Sequence, residues 1–432
     1  MKSAMSDIPP KDDAAVDETE EAPARPLAGA TVLIVHPAWH SCGSHQVFVS
    51  QTAAYRALGA RVVTLALADS PGSVAGSSAQ KAYDGATGDL LADRRFYSGM
   101  PLRRVVRPSF LGAAQAWLHG DFARILVASA RFAPLPDGLE EEERVDLIHC
   151  NHFFCMPAAV EIRRRRGAPI VADTHDLQAR QYALRNERGW TLPPAARFDD
   201  MLAAELAELA RADALIHLND EEAASFRMLL PKSRHELIYP AVAPMPAGRG
   251  GGDLIFVASA NYANYLSVKW LLEEVMPRAE GVEIRIIGNV DRQLRAGAPA
   301  LARRFERFLL GRVDSLDAAY AGARAVLLPT TQGHGISIKT IEAMSCGAPL
   351  IATPHAFRGM RLDPARLANV TLAPDAASFA AALRRTQAAS GSDEDRAVSP
   401  TRRAYDARFS FPVYRDALAR LAASVMPARA SI

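Results

Sequence analysis

The segment AVLLPTTQGHGISIKTIEAMSCGAPLIAT, residues 325–353, contains an apolar run, a glycine-rich turn, a helical stretch and a second apolar run. The apolar runs, residues 325–329 and 349–353, have the composition of buried strands. Residues 337–345 between them are predicted to form a helix that Gly347 ends. Strands joined through a helix in this way form a parallel pair with a right-handed crossover, which is the unit of a doubly wound sheet.

The same alternation of strands and helices recurs along the rest of the chain. Further strands are predicted at residues 30–35, 61–67, 145–149, 169–172, 214–218, 254–258 and 283–287, and helices at residues 44–58, 157–166, 199–212, 266–276 and 298–309. Residues 240–253 break the pattern with three prolines, four glycines and no periodicity, which is typical of a domain linker. The chain is therefore predicted to be an α/β protein with two similar halves.

Two other segments lack a strand or helix pattern. Residues 69–99 are rich in Gly, Ser and Ala, and we expect a long loop or insertion there. Residues 1–25 are rich in Asp, Glu, Pro and Ala, and they lack the basic start and apolar stretch of a signal peptide. This composition predicts a disordered tail.

Composition narrows the classes of function. The 432 residues are 49% hydrophobic, enough for two cores, and the charged residues nearly cancel to +2, so no overall field favours a nucleic-acid partner. The four cysteines form no CxxC pair, which predicts free thiols in a reducing compartment. No apolar run reaches the length of about 18 residues that a membrane-spanning helix needs. We expect a cytoplasmic protein, soluble or peripheral to the inner face of the membrane.

The glycine-rich turn is the strongest candidate for a binding site. Gly333 and Gly335 let the backbone approach a ligand closely, and a helix begins directly after them. The free N–H groups at residues 336–338, aided by Lys339, are suited to a diphosphate, and Glu342 is placed to bind the hydroxyls of a ribose. An ordinary strand-to-helix turn with a solvated Glu342 would have the same spacing.

The sequence of this region resembles the retaining family 4 glycosyltransferases, also called glycosyl transferases group 1. IEAMSCGAPLIAT (341–353) resembles the family's donor-site signature, and VDSLDAAYAGARAVLLPT (313–330) is similar to the stretch before it. FVASANYANYLSVKWLLEEVMP (256–277) is similar to the family's first strand and helix of the C-terminal domain. The resemblance covers most of residues 254–355.

The resemblance implies the GT-B architecture, in which two doubly wound Rossmann-like domains face each other across a cleft. We expect a disordered tail (1–27), an acceptor-side domain (28–245), a nucleotide-sugar-binding domain (246–408) and a final helix (409–432) that packs back on the first domain. The implied reaction is transfer of a sugar from a nucleoside diphosphate sugar to an acceptor hydroxyl with retention. It would rest on leaving-group stabilisation, with no metal and no cofactor beyond the donor co-substrate.

Roles follow from the resemblance residue by residue. The expected catalytic residues are His175, His334 and Lys339, and the expected donor-binding residues are Gly43, Ser44, Val313, Gly335, Ile336, Ser337 and Glu342. Two positions depart from the family. His334 stands where the family has the first of two glutamates, the one that contacts the transferred sugar, and SANYAN (259–264) lacks the family's basic pair. Lys339 or Arg358 is the hypothetical replacement for that pair.

The residues also leave other functions open. The cluster Asp173, His175 and Asp176 would suit a metal-dependent hydrolase, and three histidines at positions 36, 40 and 45 form a weaker metal candidate. The two departures would suit a catalytically inactive glycosyltransferase-like binding or regulatory protein. A nucleotide-sugar epimerase or hydrolase on the same fold would consume the donor without an acceptor.

A possible membrane contact lies at Arg163–Arg166, four consecutive arginines at a predicted helix end. On a solvated helix these arginines would interact favourably with the helix dipole. Alternatively, they would bind anionic lipid. The family's usual acceptors are lipid-linked or saccharide, so a role in surface polysaccharide or glycolipid assembly is expected, without a nucleic-acid partner.

Overall fold

Two parallel sheets form the framework of the protein. The computed structural model describes residues 25–40, 43–68, 76–99, 111–131, 135–141, 144–187, 195–389 and 395–427. The strands are β1 Thr31–Pro37, β2 Arg61–Leu67, β3 Arg94–Ser98, β4 Leu147–Asn151, β5 Ile170–Asp173, β6 Ala214–His217, β7 His235–Leu237, β8 Leu254–Val257, β9 Ile284–Ile287, β10 Leu309–Gly311, β11 Ala325–Leu328, β12 Leu350–Ala352 and β13 Val370–Leu372.

Helices connect the strands. They are α1 Gly43–Ala57, α2 Ser77–Ala86, α3 Leu111–Leu118, α4 Phe122–Arg131, α5 Asp137–Glu140, α6 Met156–Arg166, α7 Gln178–Glu187, α8 Phe198–Leu209, α9 Asp220–Leu229, α10 Tyr262–Trp270, α11 Val290–Gly297, α12 Pro299–Arg304, α13 Leu316–Gly322, α14 Ile338–Ser345, α15 Ala376–Ala388, α16 Pro400–Asp406 and α17 Phe411–Val425. Among the described residues, no helix is long and apolar enough to span a membrane.

Both sheets have doubly wound topology. The first has the order β3-β2-β1-β4-β5-β6-β7 and the second the order β10-β9-β8-β11-β12-β13, and the strand pairs in both are parallel. Strand order reverses beside β1 in the first sheet and beside β8 in the second. Ligands of such sheets bind beyond the carboxyl ends of the strands at this reversal. The two-domain GT-B fold expected from the sequence is confirmed.

Burial on both faces explains why these strands could be recognised. All seven residues of β1, TVLIVHP, are buried. Leu33 and Val35 lie in one apolar cluster and Val32 and Ile34 in another, so each face of the first sheet is covered. In the second sheet, Leu327 and Leu328 divide between two clusters in the same way. A strand covered on both faces reads as a continuous apolar run.

The linker and the last helix connect the two halves. Residues 240–252 form neither helix nor strand, and Val242 packs in the apolar cluster of the second sheet. Gly248 and Gly252 lie so close to the backbone of residues 321–322 that a Cβ atom would clash. Helix α17 packs with its Leu418 in a cluster of the first sheet. The glycines thus fit the linker tightly against the second domain.

The prediction of a loop over residues 69–99 is wrong for the part of this segment that the structure describes. Residues 77–86 form α2, and β3 pairs in parallel with β2 at the sheet edge. Helix α2 buries only Tyr83, and β3 has the sequence RRFYS with two of its five residues buried. An edge strand and a helix with one buried residue leave too little apolar periodicity to be detected.

The helix predicted over residues 298–309 is also partly wrong. It ends at Arg304, and after one 3₁₀ turn Leu309–Gly311 forms the edge strand β10. This strand has three residues, too few to show a period of two. As predicted, Cys150, Cys155 and Cys346 are buried and form no disulfide with one another. Cys42 and residues 1–24, most of the predicted tail of residues 1–27, lie outside the described residues.

Candidate active site

A cleft of about 600 Å³ lies between the two domains. Its wall on the N-terminal side includes Gly43 at the start of α1 and Gln181 and Leu184 on α7. The opposite wall comes from the carboxyl ends of β8 and β11 and from the turns that follow them. The cleft therefore lies where the topology of the second sheet predicts a ligand.

The start of α14 presents free donors to this cleft. Ser337 is the N-cap, and its side chain accepts hydrogen bonds from the backbone N–H and the hydroxyl of Thr340. Among the described residues, the N–H groups of Ile336, Ser337 and Ile338 have no hydrogen-bond acceptor. All three residues line the cleft. Unpaired N–H groups at the positive end of a helix form an anion site.

A second helix start faces the same cleft. Asn261 caps α10 by accepting the N–H of Asn264, whose side chain donates to the carbonyl of Ser259 at 2.8 Å. These residues belong to SANYAN, the segment without a basic pair, and Ser259, Asn261 and Asn264 line the cleft. The segment contributes amide groups and a helix dipole rather than cationic side chains.

Two cations lie at the turn between β11 and α14. Lys339 lines the cleft near the ring of Phe256, and burial lowers the pKa of its ammonium to about 7. Arg358 also lines the cleft and donates to the carbonyls of His334 at 3.3 Å and His355 at 3.2 Å. Its Nε atom is buried and has no hydrogen-bond partner within the described part of the chain. These are the two residues named above as replacements for the basic pair.

Glu342 lies one turn into α14 from Lys339 and lines the cleft. Its Oε2 accepts a long hydrogen bond, 3.4 Å, from the hydroxyl of the fully buried Tyr320. Burial raises the pKa of Glu342, and the nearby Lys339 opposes that shift. The carboxylate retains an oxygen without a protein donor among the described residues, which can accept the hydroxyls of a ribose.

The glycines of the turn are required by its geometry. Gly333 and Gly335 have φ values of 134° and 67°, which favour glycine. A Cβ atom at Gly333 would lie 2.9 Å from Nη2 of Arg358, and one at Gly335 would lie 2.6 Å from Oδ1 of Asp176. The turn therefore touches Arg358 on one side and the N-terminal domain on the other.

Six of the ten predicted site residues line the cleft. They are Gly43, His334, Ile336, Ser337, Lys339 and Glu342. His334 is exposed, and Gly335 is part of the same turn. Ser44 lies in the first turn of α1, and Val313 is half-buried against the apolar cluster of the second domain rather than at the cleft surface. The roles of all ten stay predictions.

His175 does not line the cleft, because its ring is held inside the N-terminal domain. The ring Nε2 bonds to Oδ1 of Asn151 at 2.9 Å, and the ring stacks on His152 with centroids 4.0 Å apart. The carbonyl of Val35 accepts from Nδ2 of Asn151 and, with the two hydrogen bonds to Gln51, fixes the orientation of this amide, so Nε2 of His175 is the donor. Burial lowers the pKa of His175 to about 3, and its φ is 57°.

Two carboxylates near the cleft, Glu205 and Glu222, were missed by the sequence reasoning. Glu205 accepts the N–H groups of Gln178 and Ala179, and Glu222 accepts the N–H of Leu177, so both cap the start of α7. Burial raises the pKa of Glu205 to about 7 and that of Glu222 to about 8. Asp176, named above only as a metal-ligand candidate, interacts electrostatically with both. Their sequence separation left no local pattern that could place them together.

The structure does not support the two metal-site hypotheses. The described residues contain no group of three or more His, Cys, Asp or Glu side chains placed to hold a metal ion. His36 bonds to the carbonyl of Pro37, and His45 bonds to Asp89. Asp173 accepts the backbone N–H of His175, whereas Asp176 faces the turn at Gly335. The metal-dependent hydrolase therefore lacks support.

The arginines at the end of α6 are partly neutralised. Arg164 and Arg165 both pair with Glu161, at 2.9 and 2.8 Å, and Arg163 lies 3.5 Å from Asp213. Gly167 follows in the left-handed conformation that ends the helix. The arginines are therefore explained as part of a helix end that has a glycine cap and ion pairs with nearby carboxylates.

Comparison with solved structures shows the same fold. HepE from Anabaena, in complex with UDP, is 12% identical with a TM-score of 0.60, over 91% of this chain and 100% of that one. Sucrose-phosphate synthase from Thermosynechococcus elongatus is 16% identical with a TM-score of 0.61, over 91% and 98%. The lipopolysaccharide outer core galactosyltransferase WaaB is 14% identical with a TM-score of 0.53, over 91% and 99%.

Family comparison matches both halves of the chain. The family "Glycosyl transferase 4-like domain" matches residues 43–241, and "Glycosyl transferases group 1" matches residues 251–388. A search of curated proteins finds no match. The two family matches lie one on each domain, and the chain belongs to the group 1 glycosyltransferases.

Proposed function

We propose that the chain transfers a sugar from a nucleoside diphosphate sugar to an acceptor hydroxyl, with retention of configuration. The observation that carries this proposal is the start of α14, where free N–H groups, two cations and a carboxylate meet in one cleft. We further propose that residues 246–408 bind the donor and residues 28–245 the acceptor, with residues 409–432 packing on the acceptor side and residues 1–27 as a tail.

The diphosphate would bind at the N–H groups of Ile336, Ser337 and Ile338. Lys339 and Arg358 are placed to balance its charge, because both line the cleft beside those groups. Gly43 and Ser44 lie across the cleft at the start of α1 and would add donors from the N-terminal domain. HepE has been solved with UDP and with UDP-glucose, which supports a donor of this class.

Glu342 would bind the ribose hydroxyls, supported by its free carboxylate oxygen at the cleft surface. The half-buried Val313 would lie near the base. His334, exposed in the turn beside Arg358, would face the transferred sugar, and His175 would act through the loop that it holds. These assignments follow from the resemblance, and the positions of Glu342 and His334 at the cleft are compatible with them.

Catalysis would consist of positioning the donor and stabilising the departing diphosphate. Fixed N–H dipoles and cations that meet the growing negative charge lower the barrier without a protein nucleophile. We propose that no metal ion or cofactor is needed, since helix starts, Lys339 and Arg358 supply the positive charge. Retention rests on the IEAMSCGAPLIAT signature. Turnover that persists in EDTA would support metal independence, and its loss with recovery on adding Mg²⁺ would contradict it.

A lipid-linked or saccharide acceptor is proposed, in surface polysaccharide or glycolipid assembly. The structural similarity to WaaB, a lipopolysaccharide outer core galactosyltransferase, fits that setting. A membrane contact through Arg163–Arg166 has weaker support, because Glu161 and Asp213 pair with these arginines.

The proposed function is tested by thermal stabilisation with nucleoside diphosphates and nucleotide sugars. A ligand that binds only the folded protein raises its melting temperature by mass action. We expect one nucleotide sugar to stabilise the wild type, and its consumption to require an acceptor saccharide. Binding without turnover would favour the inactive regulatory alternative, and consumption without an acceptor would favour an epimerase or hydrolase.

A further inference from the structure

Asp176 is a carboxylate of the N-terminal domain that touches the donor turn of the C-terminal domain. It lies three residues beyond the end of β5, in the loop before α7. A Cβ atom added to Gly335 would lie 2.6 Å from its Oδ1, so the carboxylate is in contact with the glycine itself. Residues about 160 positions apart in the sequence thus meet at the start of the proposed diphosphate site.

The carboxylate of Asp176 has no partner among the described residues. It makes no hydrogen bond and no ion pair there, although it is partly buried. The neighbouring Glu205 and Glu222 differ, because backbone N–H groups at the start of α7 occupy their oxygens. Arg358 interacts with Asp176 only at a distance, since its guanidinium donates to backbone carbonyls. A partly buried carboxylate without a partner lowers the stability of the folded protein unless a ligand pairs with it.

The position of Asp176 indicates which part of the ligand it would meet. If the diphosphate binds to the N–H groups of residues 336–338, a sugar attached to it can lie at the Gly335 end of the turn. The side chain at position 334 is an imidazole, so the turn itself offers no carboxylate to that sugar. Asp176 is the carboxylate that lies against Gly335.

We propose that Asp176 binds hydroxyl groups of the transferred sugar and thereby selects a neutral, hydroxylated sugar. This inference rests on the proposed donor site. A carboxylate accepts two hydrogen bonds from neighbouring hydroxyls, and charge-assisted bonds of this kind are strong. The carboxylate of Asp176 itself would repel a sugar that carries its own carboxylate. Asp176 would therefore act as a specificity-determining residue.

The test separates the sugar from the rest of the donor. Affinities of the wild type and of Asp176→Asn are measured for UDP, UDP-glucose, UDP-galactose, UDP-N-acetylglucosamine and UDP-glucuronic acid, and for the GDP series. For the preferred donor, Asp176→Asn is expected to weaken nucleotide-sugar binding about 10- to 100-fold and to change nucleoside diphosphate binding by less than about twofold. Asp199→Asn, an exposed aspartate at the start of α8, is the matched control and should change neither.

Several outcomes would overturn the inference. Equal losses for the diphosphate and the nucleotide sugar would assign Asp176 a structural role, and an unchanged nucleotide-sugar affinity would remove it from the site. A preference of the wild type for UDP-glucuronic acid would also contradict it. Failure of every nucleotide to bind the wild type would instead overturn the proposed function. If Asp176→Asn does not fold, wild-type affinity for singly deoxygenated donors replaces it, and a loss of about tenfold at one hydroxyl is expected.

Discussion

The charge state of Lys339 should change when the donor binds. Burial holds the pKa of the free side chain at about 7, so at pH 8 about nine-tenths of the molecules carry a neutral amine. A negative charge about 4 Å away contributes about 4 kcal/mol at an effective dielectric constant near 20. Since about 1.4 kcal/mol corresponds to one pKa unit, a bound diphosphate should raise the pKa of Lys339 to about 10.

The consequence is that donor binding takes up a proton. Between pH 7 and about pH 10 the free side chain is neutral and the bound one charged, so affinity should fall about tenfold per pH unit. Isothermal titration calorimetry with UDP at pH 8, in two buffers of different ionisation enthalpy, should report uptake of nearly one proton. Lys339→Met should abolish the uptake and weaken binding about 500-fold at pH 7, with the two proteins converging near pH 10.

The lowered pKa of Lys339 also affects the stability of the protein without ligand. The folded-state pKa of Lys339 lies below its ordinary value of 10.5, so the charged lysine disfavours folding below pH 10.5, and this cost grows as the pH falls to about 7. Lys339→Met should therefore raise the free energy of unfolding at pH 7 but not at pH 10.5. Lys269→Met on α10, which removes a partly exposed lysine paired with Glu273, is the control. Wild-type binding without proton uptake, or a Lys339→Met variant with the wild-type pH slope, would refute the reasoning.

Three further substitutions test other parts of the site. Gly335→Ala puts a side chain beside Asp176 on a backbone with φ of 67°. It should lower the free energy of unfolding, measured by chemical denaturation, by about 1 kcal/mol and should also weaken nucleotide binding. An unchanged stability and affinity would show that the turn does not need glycine. Arg358→Gln should weaken UDP binding about 10- to 100-fold and leave uridine binding unchanged, and equal losses for both would contradict a phosphate contact. Glu205→Ala leaves the N–H groups of Gln178 and Ala179 without an acceptor and should cost about 1–3 kcal/mol in unfolding free energy, whereas a stability equal to the wild type would show that water replaces the cap.

The parts of the fold that the sequence predicted well are those set by local composition. The runs TVLIVHP of β1 and RVVTLAL of β2 are buried almost throughout, so their apolar character marks them directly. Ser337 could be placed at the helix start because glycines precede it and an apolar helix follows. The strands β3 and β10 were missed because they lie at sheet edges and are short or charged.

The candidate site was predictable only where one segment builds it. Ile336, Ser337, Lys339 and Glu342 belong to a single turn and helix, so their proximity follows from spacing. The contact between Asp176 and Gly335 depends on how two domains pack, which no local pattern encodes. His175 was expected to face the reaction centre, but its ring faces a buried amide network, since Gln51 and Asn151 come from other elements of the first domain.

Calorimetric titration of nucleotide sugars into the wild type and Glu342→Ala tests the donor site most directly. The account predicts that one nucleotide sugar binds the wild type and that Glu342→Ala weakens it about 10- to 100-fold, through loss of charge-assisted hydrogen bonds to the ribose. Glu280→Ala, which removes an exposed carboxylate of the same domain, should bind as the wild type does. Absence of nucleotide binding, or equal affinity in the wild type and Glu342→Ala, would contradict the donor site at α14.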